Sequence, residues 1–224
     1  MALRLYQFAY SPYAAKVRLV LDLKGLAYDL IEVPYMDRTE VVRLTNQVVV
    51  PVLTDDRGGS SAESRIAIHD SPRITAYLDE HYAPNLRPTA AAVVFEQWAD
   101  STFEDVAFRI ASPMVEPRMA ALNGGRIDAA GMYRFVKERK FGAGCIDQWA
   151  RDTPALTARL RDLAAPLART LTGQPYLLGA EPTLADAAVW GNLYMLESVA
   201  AGWVARELPE LAAWYARLAE RTRR

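Results

Sequence analysis

Three short stretches place ligand-holding groups where secondary-structure elements meet. In "SPYAAKV", Ser11 and Pro12 follow the apolar run "ALRLYQF". Ser at an N-cap with Pro at the first helical position marks a strand handing over to a helix, and that alone is a sufficient structural reason for the pair. The same helix terminus carries partial positive charge and free N–H groups, which together stabilise a thiolate. A serine hydroxyl is too weak an acid to serve as a base near neutral pH, so Ser11 can assist only by donating a hydrogen bond to such an anion. In "VVVPVL", Pro51 interrupts a strand interior, where proline is disfavoured unless it lies at an edge, a bulge or a cis turn. A cis Val50-Pro51 bond would offer the Val50 N–H and C=O as an edge for an extended, peptide-like ligand. In "HDSPRI", Asp70 and Ser71 precede Pro72 at a further helix start. Ser71 can hold a carboxylate at that terminus and Asp70 an ammonium group, so an amino-acid-like ligand end fits there.

Other chemistries are excluded by what is missing. Cys145 is the single cysteine, which rules out an intrachain disulfide and a redox thiol pair, so sulfur chemistry must use a ligand's thiol. His69 and His81 lack ligand spacing, so no metal site is expected. No G-x-x-x-x-G-K-[ST] or G-x-G-x-x-G pattern occurs, and no nucleotide cofactor is expected. A net charge of -1 with interleaved acids and bases disfavours nucleic acid as a partner. No apolar run is long enough for a membrane span, and the N-terminus lacks an apolar signal-peptide core; no membrane association and a cytoplasmic location are expected.

The elements that position these groups fall into two classes. At 224 residues, 51% hydrophobic and 24% charged, the chain is an ordinary globular composition. Up to residue 82 its hydrophobic period switches repeatedly between strand and helix, giving β-α-β-α-β-β-α, with Ala15, Leu19, Val20 and Leu23 on one face of the first helix and a hairpin around the polar turn "RGGSSAE". Residues 83–92 hold two prolines and no amphipathic pattern and read as a linker. Residues 93–224 read as an all-α domain of about five helices, one of them starting at "TPALTARL". In "TLAD", Thr183 and Asp186 form a capping arrangement, which is structural.

These motifs in this order, with "SPYAAKVRLVLDLKGLAYD", "VPVL", "DSPRITAYLDEHY" and "YLLGAEPTLADAAVWGNLY", resemble the glutathione transferase family over nearly the whole chain. The resemblance implies a thioredoxin-like N-terminal domain binding glutathione as co-substrate, a helical-bundle domain completing a pocket for a hydrophobic electrophile, a homodimer, and a role in detoxification. Carried over by position, Ser11 is the catalytic hydroxyl, and Val50, Pro51, Asp70 and Ser71 hold glutathione. Ser11 and Ala14 stand where redox-active relatives carry C-P-Y-C. Other branches of the family use a tyrosine near the end of the first strand, which makes Tyr6, Tyr10 and Tyr13 rivals. Tyr6 is expected to pack within the strand, while Tyr10 and Tyr13 are assigned to the electrophile pocket together with Trp98, Phe103 and Phe108, and with Met114. The chain departs from the family in "TNQVVV", where many relatives carry lysine or glycine and only Gln47 could grip the glycine carboxylate. "YRFVKERKFGAG" bears a weaker similarity to glutathione-dependent β-aryl etherases, so ether cleavage or isomerisation is an alternative, as is a non-catalytic interaction protein on the same fold.

Overall fold

In the computed structural model, residues 2–58 and 65–222 are described. The N-terminal unit runs β1 (Leu3–Gln7), α1 (Pro12–Leu23), β2 (Tyr28–Glu32), α2 (Thr39–Thr45), β3 (Val52–Asp55), β4 (Ile66–His69) and α3 (Ser71–His81). Its four strands are ordered β2-β1-β3-β4, with β1 and β2 parallel and the other pairs antiparallel. This is the expected thioredoxin-like arrangement. The tip of the β3–β4 hairpin, within the polar turn read from the sequence, lies outside the described residues.

The helical unit comprises α4 (Ala90–Trp98), α5 (Glu104–Val115), α6 (Met119–Leu122), α7 (Asp128–Phe141), α8 (Cys145–Leu171), α9 (Leu184–Val199), α10 (Trp203–Glu207) and α11 (Pro209–Ala219). A single π-turn, Ala99–Phe103, joins α4 to α5 without breaking the helix. Eight helices stand here among the described residues, against about five expected. One excess is a short α10 before Pro209, and another is α6. Conversely, α8 starts eight residues before the expected "TPAL" start and carries Pro154 in its interior. Pro154 and Ala150, whose carbonyl loses its helical donor there, are both exposed, so water can take the bond.

The two units are joined by more than the linker. Helix α1 packs on α9, and Gly191 makes the contact possible: a Cβ there would stand 2.5 Å from the Pro12 carbonyl oxygen and 2.9 Å from the Lys16 nitrogen. Helix α9 is pinned at its start by Asp186, fully buried, which accepts from Leu177 N (2.9 Å), Thr183 N (2.9 Å), Thr183 Oγ1 (3.1 Å) and Trp214 Nε1 (2.9 Å). The stretch between α3 and α4 is itself fastened. Lys24 Nζ donates to the carbonyls of Tyr82 (2.8 Å) and Pro84 (2.5 Å), and Leu184 N donates to the Leu86 carbonyl (2.8 Å).

Candidate active site

Ser11 caps α1 with extended backbone geometry, and its Oγ accepts from Ala14 N at 3.3 Å. Pro12 has no N–H, so among the described residues the Tyr13 N–H is the first-turn donor left without a protein partner. The Ser11 hydroxyl spends a lone pair on its cap and keeps its proton for a ligand. At 7% exposure it sits at the floor of a cleft rather than on the surface.

That cleft has two halves sharing Tyr13, Val49 and Val50. The first, about 370 Å³, is polar and brings together Pro51, Asp70, Ser71 and Asp100. The Val50-Pro51 bond is cis, as is Ala83-Pro84. Asp70 is held at a φ of +74°, a conformation uncommon for a side-chain-bearing residue and often found where a ligand is clamped. Ser71 begins α3 and is 2% exposed. Gln47 is absent from both halves of the cleft; Arg38, from the start of α2, lines the second half instead. Its guanidinium donates to the Tyr35 and Val48 carbonyls (3.2 and 2.7 Å).

The second half, about 210 Å³, holds Ser11 and is walled by aromatic rings. Phe8 stacks on Tyr10 with centroids 5.7 Å apart, and Tyr133 meets Tyr10 edge-on at 6.4 Å. The Tyr10 hydroxyl is buried without a hydrogen-bond partner among the described residues, and burial drives its ionisation well above the ordinary phenol range. Tyr13 is driven the same way by burial and by the neighbouring Glu104 carboxyl. Both phenols are therefore neutral donors at working pH. Phe108 lines this half. Trp98 and Phe103 do not: Phe103 is fully buried in the main core, and Trp98 lines a separate apolar groove with Val94 and Leu163. Met114 is half-buried against the cores and absent from the lining. The π-turn is the reason. Residues five apart point to different faces of an α-helix, but here Trp98 and Phe103 touch, with centroids 5.5 Å apart.

The same turn aims a row of carboxylates at α1. Glu96, Asp100 and Glu104 recur every four residues on the helix that faces Ser11's neighbours. Glu96 takes Lys16 Nζ (2.9 Å), Thr75 Oγ1 (3.1 Å) and Arg87 (3.3 Å); Asp100 takes Lys16 Nζ (2.5 Å); Glu104 lies beside Tyr13. Asn192 Nδ2 supports the turn by donating to the Ala99 carbonyl at 3.0 Å. Burial raises Asp100, opposed first by Lys16, and burial plus Asp105 push Glu104 up to about 7. Asp100, Glu104, Arg38 and Lys137 were not singled out from the sequence. The acidic recurrence in "EQWADSTFE" was the available signal for the first two. Among the described residues no group of His, Cys, Asp or Glu is placed to hold a metal, and buried Cys145 has its thiol pushed up by burial.

Residues 5–86 match the family model for the glutathione S-transferase N-terminal domain, and residues 145–217 that for the C-terminal domain. The chain is 25% identical to prostaglandin E synthase 2 of Mus musculus, covering 97% of this chain and 70% of that protein. In fold it is similar to a glutathione S-transferase of Ceriporiopsis subvermispora solved with glutathione (TM-score 0.75, 22% identity, 98% and 97% of the two chains). It is also similar to the beta-etherase LigF of Sphingobium sp. strain SYK-6 (TM-score 0.64, 20% identity, 97% and 95% of the two chains). Matched in both of its units, and with a capped α1 terminus opening on a two-part cleft between them, the chain belongs to the glutathione S-transferase family.

Proposed function

We propose that the protein is a glutathione transferase that holds glutathione as a thiolate at Ser11 and directs it against a hydrophobic electrophile in the aromatic half of the cleft. The observation that carries this is the junction of the two halves at the α1 terminus, with Ser11, Tyr13 and Val50 meeting there. The Val50 backbone edge takes the peptide portion of glutathione, Ser71 its γ-glutamyl carboxylate, and Asp70 with Asp100 its ammonium group. The thiol proton leaves to solvent. Sulfur then forms a bond to the electrophilic carbon, and a leaving group departs with its electron pair or a conjugated system accepts the charge. The Ser11 O–H and the Tyr13 N–H lower the thiol's pKa from its free value near ~8.5, each unit being worth about 1.4 kcal/mol. The assignment includes a homodimer and a cytoplasmic location, in keeping with the family; no helix among the described residues is long and apolar enough to cross a membrane.

Ser11→Ala is the test. The donor is lost while the helix terminus and the carboxylate clamp remain, so glutathione should still bind. The thiolate absorbance of bound glutathione should move to higher pH, and conjugation should slow by about 10² to 10³. An unchanged thiol pKa and rate in Ser11→Ala, with activity lost in Tyr10→Phe, would make Ser11 only a cap and Tyr10 the catalytic hydroxyl. Ether cleavage is the same displacement with an aryl-oxide leaving group, and an aryl-ether substrate in that assay separates it from transfer to halides, epoxides and enones. A non-catalytic protein would show no binding of glutathione at millimolar concentration.

A further inference from the structure

Lys137 is the cleft residue that neither the fold nor the thiolate chemistry uses. It reaches from α7 into the aromatic half, with Nζ 4.8 Å from the ring centroids of both Phe108 and Tyr133. It takes part in none of the ion pairs or hydrogen bonds among the described residues. Two cations, Lys140 and Arg38, act on it. With burial they hold its ammonium down at about 8, with Glu104 acting in the opposite direction. Glu104 is not its counter-ion: the two form no ion pair among the described residues, and that carboxyl is itself pushed up to about 7. A largely desolvated cation flanked by cations is a costly arrangement unless an anion joins it.

The size of the space narrows what that anion belongs to. A cavity of roughly 150 Å³ already accepts benzene. At about 210 Å³ this one has room for a single ring with a substituent or two. We propose that the second substrate is a one-ring aromatic electrophile bearing a carboxylate, its ring set against Phe8, Phe108 and Tyr133 and its carboxylate on Lys137. The proposal deepens the glutathione-transfer assignment and rests on it. Lys137 is then a specificity-determining residue, rewarding an acid over its neutral isostere.

Calorimetric titration with three ligands tests this without turnover: glutathione, S-(para-carboxybenzyl)glutathione, and the corresponding amide. The acid conjugate should bind roughly ten- to a hundredfold more tightly than the amide, as expected for a charge-assisted hydrogen bond out of bulk water. Lys137→Met should bring the two conjugates to parity, and Lys137→Arg should keep most of the preference. Equal affinities in the wild-type protein, or a preference that survives Lys137→Met, would overturn the proposal. If glutathione itself binds, that result leaves the transferase assignment standing. If glutathione does not bind, the transferase assignment falls and the carboxylate pocket with it.

Discussion

Replacing Lys16 with Met should unseat the carboxylate that the π-turn carries into the cleft. Lys16 is 1% exposed and sits 2.9 Å from Glu96 and 2.5 Å from Asp100. Glu96 would keep Thr75 and Arg87, whereas Asp100 has no other hydrogen-bond partner among the described residues. Stranding one member of a buried pair costs roughly 3–5 kcal/mol, and the retained partners of Glu96 place this case near ~3. For a chain of this size that is a fall in Tm of about 6–12 °C. The loss should also depend on pH in a definite direction. Burial already raises Asp100 above 3.8 and Lys16 is the main opposing influence, so its removal raises Asp100 further. A carboxyl raised in the folded state contributes fully below its unfolded value, and that contribution is lost as pH rises through the folded one. The deficit of Lys16→Met should therefore be smallest near about pH 4 and largest near about pH 8. Urea unfolding of wild type and variant across that range reads it directly, and Asp100→Asn on the Lys16→Met background should recover about half of the loss. A deficit under about 1 kcal/mol, or one flat with pH, would refute the account of Asp100 as a charge held in place by Lys16.

Three further outcomes are expected. Gly191→Ala should destabilise by about 1–3 kcal/mol in thermal unfolding and weaken glutathione binding, because its Cβ meets the backbone of the first turn of α1 rather than a movable side chain. Asp186→Ala should cost about 4 kcal/mol in denaturant unfolding, since it orphans Leu177 N, Thr183 N and Trp214 Nε1 in a buried site, and Asp186→Asn should recover only part of this. Glu104, raised from 4.5 to about 7, contributes stability below the lower value that is lost as pH climbs through the upper one. Glu104→Gln should therefore be more stable than wild type by about 1 kcal/mol at alkaline pH and lose that advantage in acid, as read by Tm against pH.

What could be read from the sequence was what short-range chemistry decides. Ser11-Pro12, Asp70-Ser71-Pro72 and Thr183 with Asp186 announce helix starts within four residues, and all three helices begin there. The alternation of periods up to residue 82 likewise gives the order of strands and helices, since it depends only on neighbours. The pocket depended on phase carried over distance. As one regular α-helix, residues 91–110 would put Trp98 and Phe103 on different faces; the extra residue of the π-turn instead brings their rings together, with Phe103 in the core, and leaves the acidic row facing α1. Pro154 misled for a different reason. A Thr-Pro pair is a good helix start, but a proline on a wet helix face is tolerated within one, and which face is wet is a tertiary fact. Lys137 lies in an ordinary-looking charged stretch, where Tyr133 is its neighbour four residues back on the same helix, and only the fold brings Phe108 against it.

Gly191 has a bearing on how this chain can be recombined with its relatives. The stretch between α3 and α4 looks like the natural crossover for grafting one family member's sheet unit onto another's helical unit. Yet the backbones of the two units also meet elsewhere, where Pro12 and Lys16 rest on the bare Cα of Gly191. A donor helical unit with any side chain at that position would push against the turn that holds Ser11, whatever the quality of the graft at the linker. The heritable module is α1 together with α9, two segments far apart in the chain, so a productive chimera has to inherit both from the same parent.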